Sequence, residues 1–269
     1  MLRSLECKNL RGLVPVMTQA ALRADHVGHV YDDQHGQVDA LDNITFEIKP
    51  GEFVCIVGPS GSGKSTLLRI LAGLIQPQQG RVWLDGQLVT APRPSIGIVF
   101  QKANLMPWRT VRDNVGLPLE MEHVPVVEIS ERAQALIDLV GLTGFEASYP
   151  HGLSGGMEQR VAIARALIHN PSVLLLDEPL GSLDALTRER MSLELTRIWS
   201  TRTTTVVMVT HSIQEAVFLS DRVLVMTDRP GRIAADIAIK LSRPRDLTLL
   251  QEEHFAELAG KVRQAIVQA

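Results

Sequence analysis

The sequence predicts an α/β fold: a parallel sheet covered on both faces by helices, with a helical insert. Three observations predict it. A glycine-rich loop, Gly58-Pro59-Ser60-Gly61-Ser62-Gly63-Lys64-Ser65-Thr66, leaves the apolar run Phe53 to Val57. Apolar runs of strand length then alternate with segments of helical periodicity, the pattern of strand–helix–strand units. Between about Lys102 and Asn170 the apolar period changes from two to near four, with Ile129, Ala133, Leu136, Ile137 and Val140 on one helical face.

Taken in order, Ala24 to Tyr31 and Leu41 to Ile48 read as short alternating strands, split by the polar stretch Asp32 to Gln37. Pro50-Gly51 turns the chain into the strand before the glycine-rich loop, and residues 64–74 read as a helix ending near Gly73. Arg81 to Leu84 and Ser95 to Phe100 read as strands, with Asp85-Gly86 as a turn between them. After the helical insert, strands resume at Val173 to Leu176, Thr205 to Val209 and Arg222 to Met226, with a helix over about Ala185 to Ser200. Ser212-Ile213-Gln214-Glu215 has the spacing of a capping box and opens a further helix. Phe255, Leu258, Val262 and Ile266 form one stripe of a final amphipathic helix, and Glu252, Glu253 and Glu257 favour packing on the protein over lying on a membrane.

Composition excludes several classes. Of 269 residues 45% are hydrophobic, too many for a disordered chain. The net charge of −3 supplies no global field for nucleic acid. Cys7 and Cys55 make neither a zinc spacing nor a disulfide framework, which fits a reducing compartment. No apolar run approaches the ~20 residues of a membrane span. Met1 to Val16 lacks a continuous apolar stretch and makes a poor signal peptide; it reads as an extension, or as the product of an upstream start codon before Met17.

The loop fits G-x-x-x-x-G-K-[ST]. Its glycines let backbone N–H groups turn inward around phosphates, and the following helix adds its positive pole. Lys64 can reach the outer phosphates, and the Ser65 hydroxyl can bind Mg²⁺. The run Val173 to Leu176 ends in Asp177 and Glu178, and charges at the tip of a buried strand are costly unless they have a cation or a task. Asp177 can hold Mg²⁺ directly or through water; Glu178 can polarise a water aimed at a γ-phosphate. Leu153-Ser154-Gly155-Gly156-Met157 opens a helix over about Glu158 to Leu167, and by itself is an ordinary helix cap.

Together these motifs resemble the signature of ATP-binding cassette (ABC) ATPases. Lys64 to Ser154 spans 90 positions, Ser154 to Asp177 spans 23, and Asp177 to His211 spans 34, in the family's order. The resemblance covers about Ala24 to Ile239. It implies a P-loop NTPase with a RecA-like core, an antiparallel β subdomain and the helical insert, over residues 24–241, with an extension at 1–23 and a helical tail at 242–269. It also implies roles. Tyr31 matches the aromatic that stacks on adenine, although an aromatic at a strand end is more often core. Gln101 matches the glutamine that senses Mg²⁺ and water and links to the membrane partner. His211 matches the histidine that contacts the γ-phosphate, and Asp184 the aspartate at the dimer interface. Ser154, Gly155 and Gly156 bind the ATP held by the loop of a second copy, so the resemblance implies a homodimer with two working sites. Met157 departs from the commoner glutamine, and Ser182 stands where alanine is usual; neither removes a phosphate ligand.

Lys102 to Val111, Leu180 to Arg188 and Pro230-Gly231-Arg232-Ile233 resemble the ATPase subunits of importers for nitrate, sulfonates and taurine. That group implies ATP and Mg²⁺ as cofactors, integral permease subunits as partners and a periplasmic or lipid-anchored solute-binding protein as an indirect one. It places the chain on the cytoplasmic face of the cell membrane, with no nucleic acid involved. Leu105, Met106 and Trp108 either dock a permease helix or tuck their loop onto the core. The resemblance to that group carries the expectation of a subunit without the large regulatory domain of the sugar importers. Two other classes are weighed. DNA-maintenance ATPases carry long coiled coils between loop and signature, which 90 residues cannot hold. A regulatory nucleotide-binding module has no need of both Glu178 and His211.

Overall fold

The computed structural model describes residues 20–33, 36–201 and 204–269. The expectation for Met1 to Val16 lies outside the described residues.

Two sheets form the frame. β1 (Leu22–Asp33) and β2 (Gly36–Ile48) pair antiparallel, Leu22 facing Ile48 and Tyr31 facing Val38. β1 also pairs antiparallel with β4 (Gln79–Leu84), which turns at Asp85-Gly86 into β5 (Gln87–Leu88). Both glycine-rich turn positions have positive φ, at 47° for Asp85 and 75° for Gly86. The first strand begins two residues before the expected Ala24, because Ala21 N–H already bonds to the Ile48 carbonyl.

The second sheet has the order β10-β9-β3-β8-β7-β6. β3 (Phe53–Val57), β6 (Ile96–Val99), β7 (Val173–Asp177), β8 (Thr205–Val209) and β9 (Arg222–Met226) run parallel. β10 (Ile233–Ala238), which the sequence reading had not picked out, pairs antiparallel at the edge. Its side chains are half-buried and exposed in turn, the profile of a strand covered on one face.

The parallel strands are buried on both faces, as their unbroken apolar runs require. Val54, Ile56, Val207, Val209, Leu224 and Met226 pack with the antiparallel sheet and with α1 (Lys64–Leu71). Phe53, Cys55, Val57, Leu174, Leu176, Val206 and Met208 pack on the other face with the remaining helices. Helix α1 stops at Leu71, and Gly73 takes the left-handed conformation at φ 73° expected after a helix end.

The insert contains α2 (Val111–Met121), α3 (Val126–Leu139) and α4 (Gly155–Leu167). Ala133, Leu136, Ile137 and Val140 are buried on the predicted face, and Ile129 is half-buried. α5 (Ala185–Ser200) and α6 (Ile213–Leu219) link the later strands. α7 (Glu253–Gln268) buries Phe255, Leu258 and Val262 in the same cluster as the sheet's far face, so the tail is part of the main core. Arg245, 4% exposed, fixes the approach to α7: it donates to the carbonyls of Val217, Phe218 and Ser220 at the end of α6 and to that of Leu241. Among the described residues no helix is long and apolar enough to cross a membrane.

Candidate functional site

Three neighbouring inner strands, β3, β8 and β7, deliver most of the predicted groups to their C-terminal ends. β3 runs directly into the phosphate loop, whose Gly61 and Gly63 take φ of 83° and 88°. A Cβ on Gly63 would sit 2.6 Å from the Ala40 carbonyl oxygen, and one on Gly58 would sit 2.7 Å from that of Met226. Glycine is therefore required by space as well as by backbone angle at Gly63. Lys64, the first residue of α1, folds back into the loop: its Nζ donates to Gly58 O at 3.0 Å, Pro59 O at 2.7 Å and Ser62 Oγ at 3.3 Å. Burial pulls its ammonium below the usual lysine range. An anionic phosphate at the loop favours the charged form and offsets that cost.

Ser65 Oγ donates to Asp177 Oδ1 at 3.0 Å, joining the start of α1 to the tip of β7. Asp177 is 8% exposed, and burial pushes its carboxyl above the ordinary range despite that hydrogen bond. Among the described residues no three His, Cys, Asp or Glu side chains make a self-contained metal cage. One hydroxyl and one carboxylate suit Mg²⁺, which takes few protein ligands and completes its shell with water and substrate phosphates.

Glu178 follows, with its N–H bonded to the Val209 carbonyl at 2.9 Å and its backbone at φ 46°. A left-handed glutamate stores strain, a cost that clusters at functional positions. Its Oε2 is 3.3 Å from His211 Nδ1 and accepts from Gln101 Nε2 at 3.4 Å. Three residues far apart in sequence, at the ends of β6, β7 and β8, thus converge on one carboxylate oxygen.

Tyr31, Ser60, Gly61, Gly63, Lys64, Ser65, Thr66, Glu178 and His211 line one cleft of about 450 Å³. Its volume lies within the range of small-molecule sites. The Tyr31 hydroxyl is 3.2 Å from Thr66 Oγ1, and its ring meets His29 edge-on at 4.7 Å. Tyr31 is exposed on the cleft wall, not core.

The cleft does not include Ser154, Gly155 or Gly156. Ser154 caps α4, its Oγ accepting from Met157 N–H at 3.4 Å, so the helix starts at Gly155, three residues before the expected Glu158. Gly155 opens onto a separate groove of about 630 Å³ with Gln101, Lys102, Leu105, Pro107 and Ser182. In this groove Leu105 packs against the core, while Trp108 beside it is 71% exposed. Leu105 thus tucks onto the core, and Trp108 does not. Asp184 caps α5 through Thr187 N–H at 3.0 Å, and its hydrogen bonds to Thr187 hold its carboxyl below the usual range.

Two features escaped the sequence. Arg229, in the loop after β9, donates from Nε and Nη2 to Gly61 O, both at 3.2 Å, and lines the phosphate cleft. It sits next to the Pro230-Gly231-Arg232 motif, but no periodicity marks a contact across 168 positions. The predicted capping box at Ser212 is only half made. Ser212 Oγ accepts from Glu215 N–H at 3.3 Å, but Ser212 N–H donates to Thr210 Oγ1 and not to Glu215. A reciprocal box occurs instead at Thr110 and Asp113, opening α2.

Comparison with known proteins agrees with this geometry. The ABC transporter family model matches residues 41–181. The aliphatic sulfonates import ATP-binding protein SsuB of Bacillus thuringiensis subsp. konkukian is 44% identical, over 89% of this chain and 93% of its own length. The nitrate import ATP-binding protein NrtD of Synechocystis is 48% identical, over 82% of this chain and 83% of its own. Among solved structures, the dimeric post-hydrolysis state of the ATP-binding cassette MJ0796, bound to ADP and Pi, is 35% identical with a TM-score of 0.72, covering 82% of this chain and 100% of that one. By cleft, chain order and kinship alike, this chain belongs to the ABC transporter family and is one of its ATPases.

Proposed function

We propose that the chain is the ATP-hydrolysing subunit of an importer for a small anion such as nitrate, a sulfonate or taurine. Adenine stacks on Tyr31, and the phosphates lie against the N–H groups of the Gly58 to Thr66 loop with Lys64 beside them. Ser65, Asp177 and Gln101 would hold Mg²⁺, which would supply charge neutralisation for the outer phosphate oxygens. Glu178 orients a water and takes up its proton, and His211 contacts the γ-phosphate. Ser154, Gly155 and Gly156 complete the site of a second copy, so the nucleotide bridges two identical chains and its cleavage releases them. The homodimer sits on the cytoplasmic face of the membrane by docking to permease subunits at the groove beside Gln101 and Trp108, and a periplasmic or lipid-anchored protein delivers the solute to them.

The observation that carries this reading is the meeting of Gln101 and His211 on one oxygen of Glu178, which with His211 lines the cleft that holds Lys64. The separation of the Ser154 turn from that cleft supports a second copy as its partner. The test is Glu178→Gln. ATP affinity stays within about twofold, turnover falls about 10²-fold or more, and a nucleotide-dependent dimer accumulates. Full turnover in that variant ends the assignment. Co-purification from native membranes then identifies the permease and the solute-binding protein.

A further inference from the structure

Among the described residues four charged side chains of Lys, Arg, Asp and Glu are buried: Lys64, Asp177, Glu215 and Arg245. Lys64 and Asp177 belong to the nucleotide cleft, and Arg245 binds the carbonyls at the end of α6. Glu215, 7% exposed, has no part in the chemistry described above. Its spacing from Ser212 suits a cap for α6, yet its carboxylate does not bond the Ser212 N–H. Instead Oε2 accepts from Thr210 Oγ1 at 2.6 Å, and that hydroxyl accepts in turn from Ser212 N–H at 3.0 Å. Thr210 and Ser212 flank His211, so one hydroxyl, oriented by Glu215, pins the backbone on both sides of the histidine.

The other carboxylate oxygen, Oε1, lies 3.4 Å from Arg188 Nε, an ion pair without an aligned hydrogen bond. The Arg188 Nη2 donates to the Leu183 carbonyl at 2.9 Å. Leu183 closes the turn that leaves Glu178, where Gly181 N–H bonds the Glu178 carbonyl at 3.0 Å and Leu183 N–H bonds that of Leu180 at 3.2 Å. A continuous path therefore runs from His211 through Thr210, Glu215 and Arg188 to the 180–184 turn and back to Glu178, whose carboxylate is 3.3 Å from His211. The same turn and the first turn of α5 lie beside the start of α4: Cβ atoms on Gly155 and Gly156 would meet Leu183 Cδ2 at 3.7 Å and Thr187 Cγ2 at 3.0 Å. Burial raises the Glu215 carboxyl, and Thr210 and Arg188 oppose that shift, so the carboxylate is held by these two partners.

The geometry points to Glu215 and Arg188 as positioning residues for hydrolysis: through the Thr210 hydroxyl they set the separation of His211 from Glu178 and tie it to the turn beside Gly155 and Gly156. This rests on the reading of Glu178 and His211 as the hydrolytic pair. The path touches neither the phosphate loop nor Tyr31, so its effect falls on turnover far more than on nucleotide affinity.

The test uses the purified full chain with Mg²⁺ and ATP, measuring kcat, KM, ATP affinity and the folded state by circular dichroism. Thr210→Val keeps the shape of the side chain and removes the hydroxyl; Arg188→Ala removes the ion pair. Each lowers kcat about tenfold or more, as misplacement of a reacting group by a fraction of an ångström does, with ATP affinity within about twofold. Thr210→Ser restores kcat, and the Thr210→Val/Arg188→Ala double variant falls little below the weaker single variant, since both cut one path. Folded single variants with kcat within about twofold of wild type overturn the proposal, as does a parallel fall of kcat, affinity and folded fraction that Thr210→Ser does not restore. A wild type without turnover, or full turnover in Glu178→Gln, refutes the hydrolytic reading itself; an active wild type with silent Thr210 and Arg188 variants refutes the positioning role alone.

Discussion

Gly231→Ala is a one-carbon test of how the phosphate loop is held. Gly231 lies in the loop after β9, where its N–H bonds the Ala40 carbonyl at 3.1 Å and its carbonyl accepts from Asp42 N–H at 3.0 Å. These bonds press it onto the loop from the side of β2. A Cβ there would lie 2.1 Å from the Ser62 carbonyl oxygen and 2.7 Å from Met226 Cε. The methionine end can swing aside, but the Ser62 carbonyl is backbone, and its neighbour Gly63 has no room either, since a Cβ there would lie 2.6 Å from Ala40 O. Relief to even the closest tolerable contact of 3.0 Å requires a shift near 1 Å. Overpacking of this kind costs about 1–3 kcal/mol of stability. A shift of that size misaligns the loop N–H groups, and a 10- to 100-fold loss of ATP affinity corresponds to about 1.4–2.7 kcal/mol. Titration with ATP by calorimetry and chemical denaturation of the same preparation read both quantities. An affinity within twofold of wild type, with unchanged stability, would refute the claim that Gly231 braces the loop.

The remaining predictions are shorter. Gly260→Ala, inside α7 with no atom within 4 Å of the added carbon, stabilises the chain by about 0.5–1 kcal/mol without changing ATP affinity, as denaturation and nucleotide titration will show. Asp177 has a native pKa raised by burial, so its contribution to stability is present below the unfolded-state value and is lost as pH rises through the native one. Asp177→Asn cannot ionise, so without Mg²⁺ its stability relative to wild type grows as pH rises above the ordinary carboxylate range, measured by urea unfolding. Arg245→Met leaves the carbonyls of Val217, Phe218, Ser220 and Leu241 without their donor and costs about 2–4 kcal/mol in the same assay.

The parts legible in the sequence are those fixed by local rules. The runs Phe53 to Val57 and Val173 to Leu176, buried on both sides, could only be inner parallel strands, and the loop between Gly58 and Thr66 announced its own backbone angles. β10 was missed because an edge strand with alternate half-buried residues has no apolar run to reveal it. Arg229 and Gly231 were missed as parts of the site for a different reason. Their partners, Gly61 and Ser62, lie near the other end of the chain, and only the pairing of β9 with β3 brings them together. Glu215 misled in the opposite direction: its spacing from Ser212 satisfies a local rule, but another local group, the Thr210 hydroxyl five residues before it, takes its carboxylate.

The strand order also constrains how such a chain is made. β8, residues 205–209, lies between β3 and β7. A nascent chain emerging from the ribosome therefore displays the phosphate loop, Asp177 at the tip of β7 and Glu178 after it well before it has the strand that sits between them. Until then the sheet has an open slot with unsatisfied edges on either side, a site for wrong pairing between neighbouring polysomal chains. Fragments ending before residue 205 should consequently aggregate, not act as truncated nucleotide binders, and splitting this polypeptide for complementation would succeed only with a cut that keeps 53–209 whole.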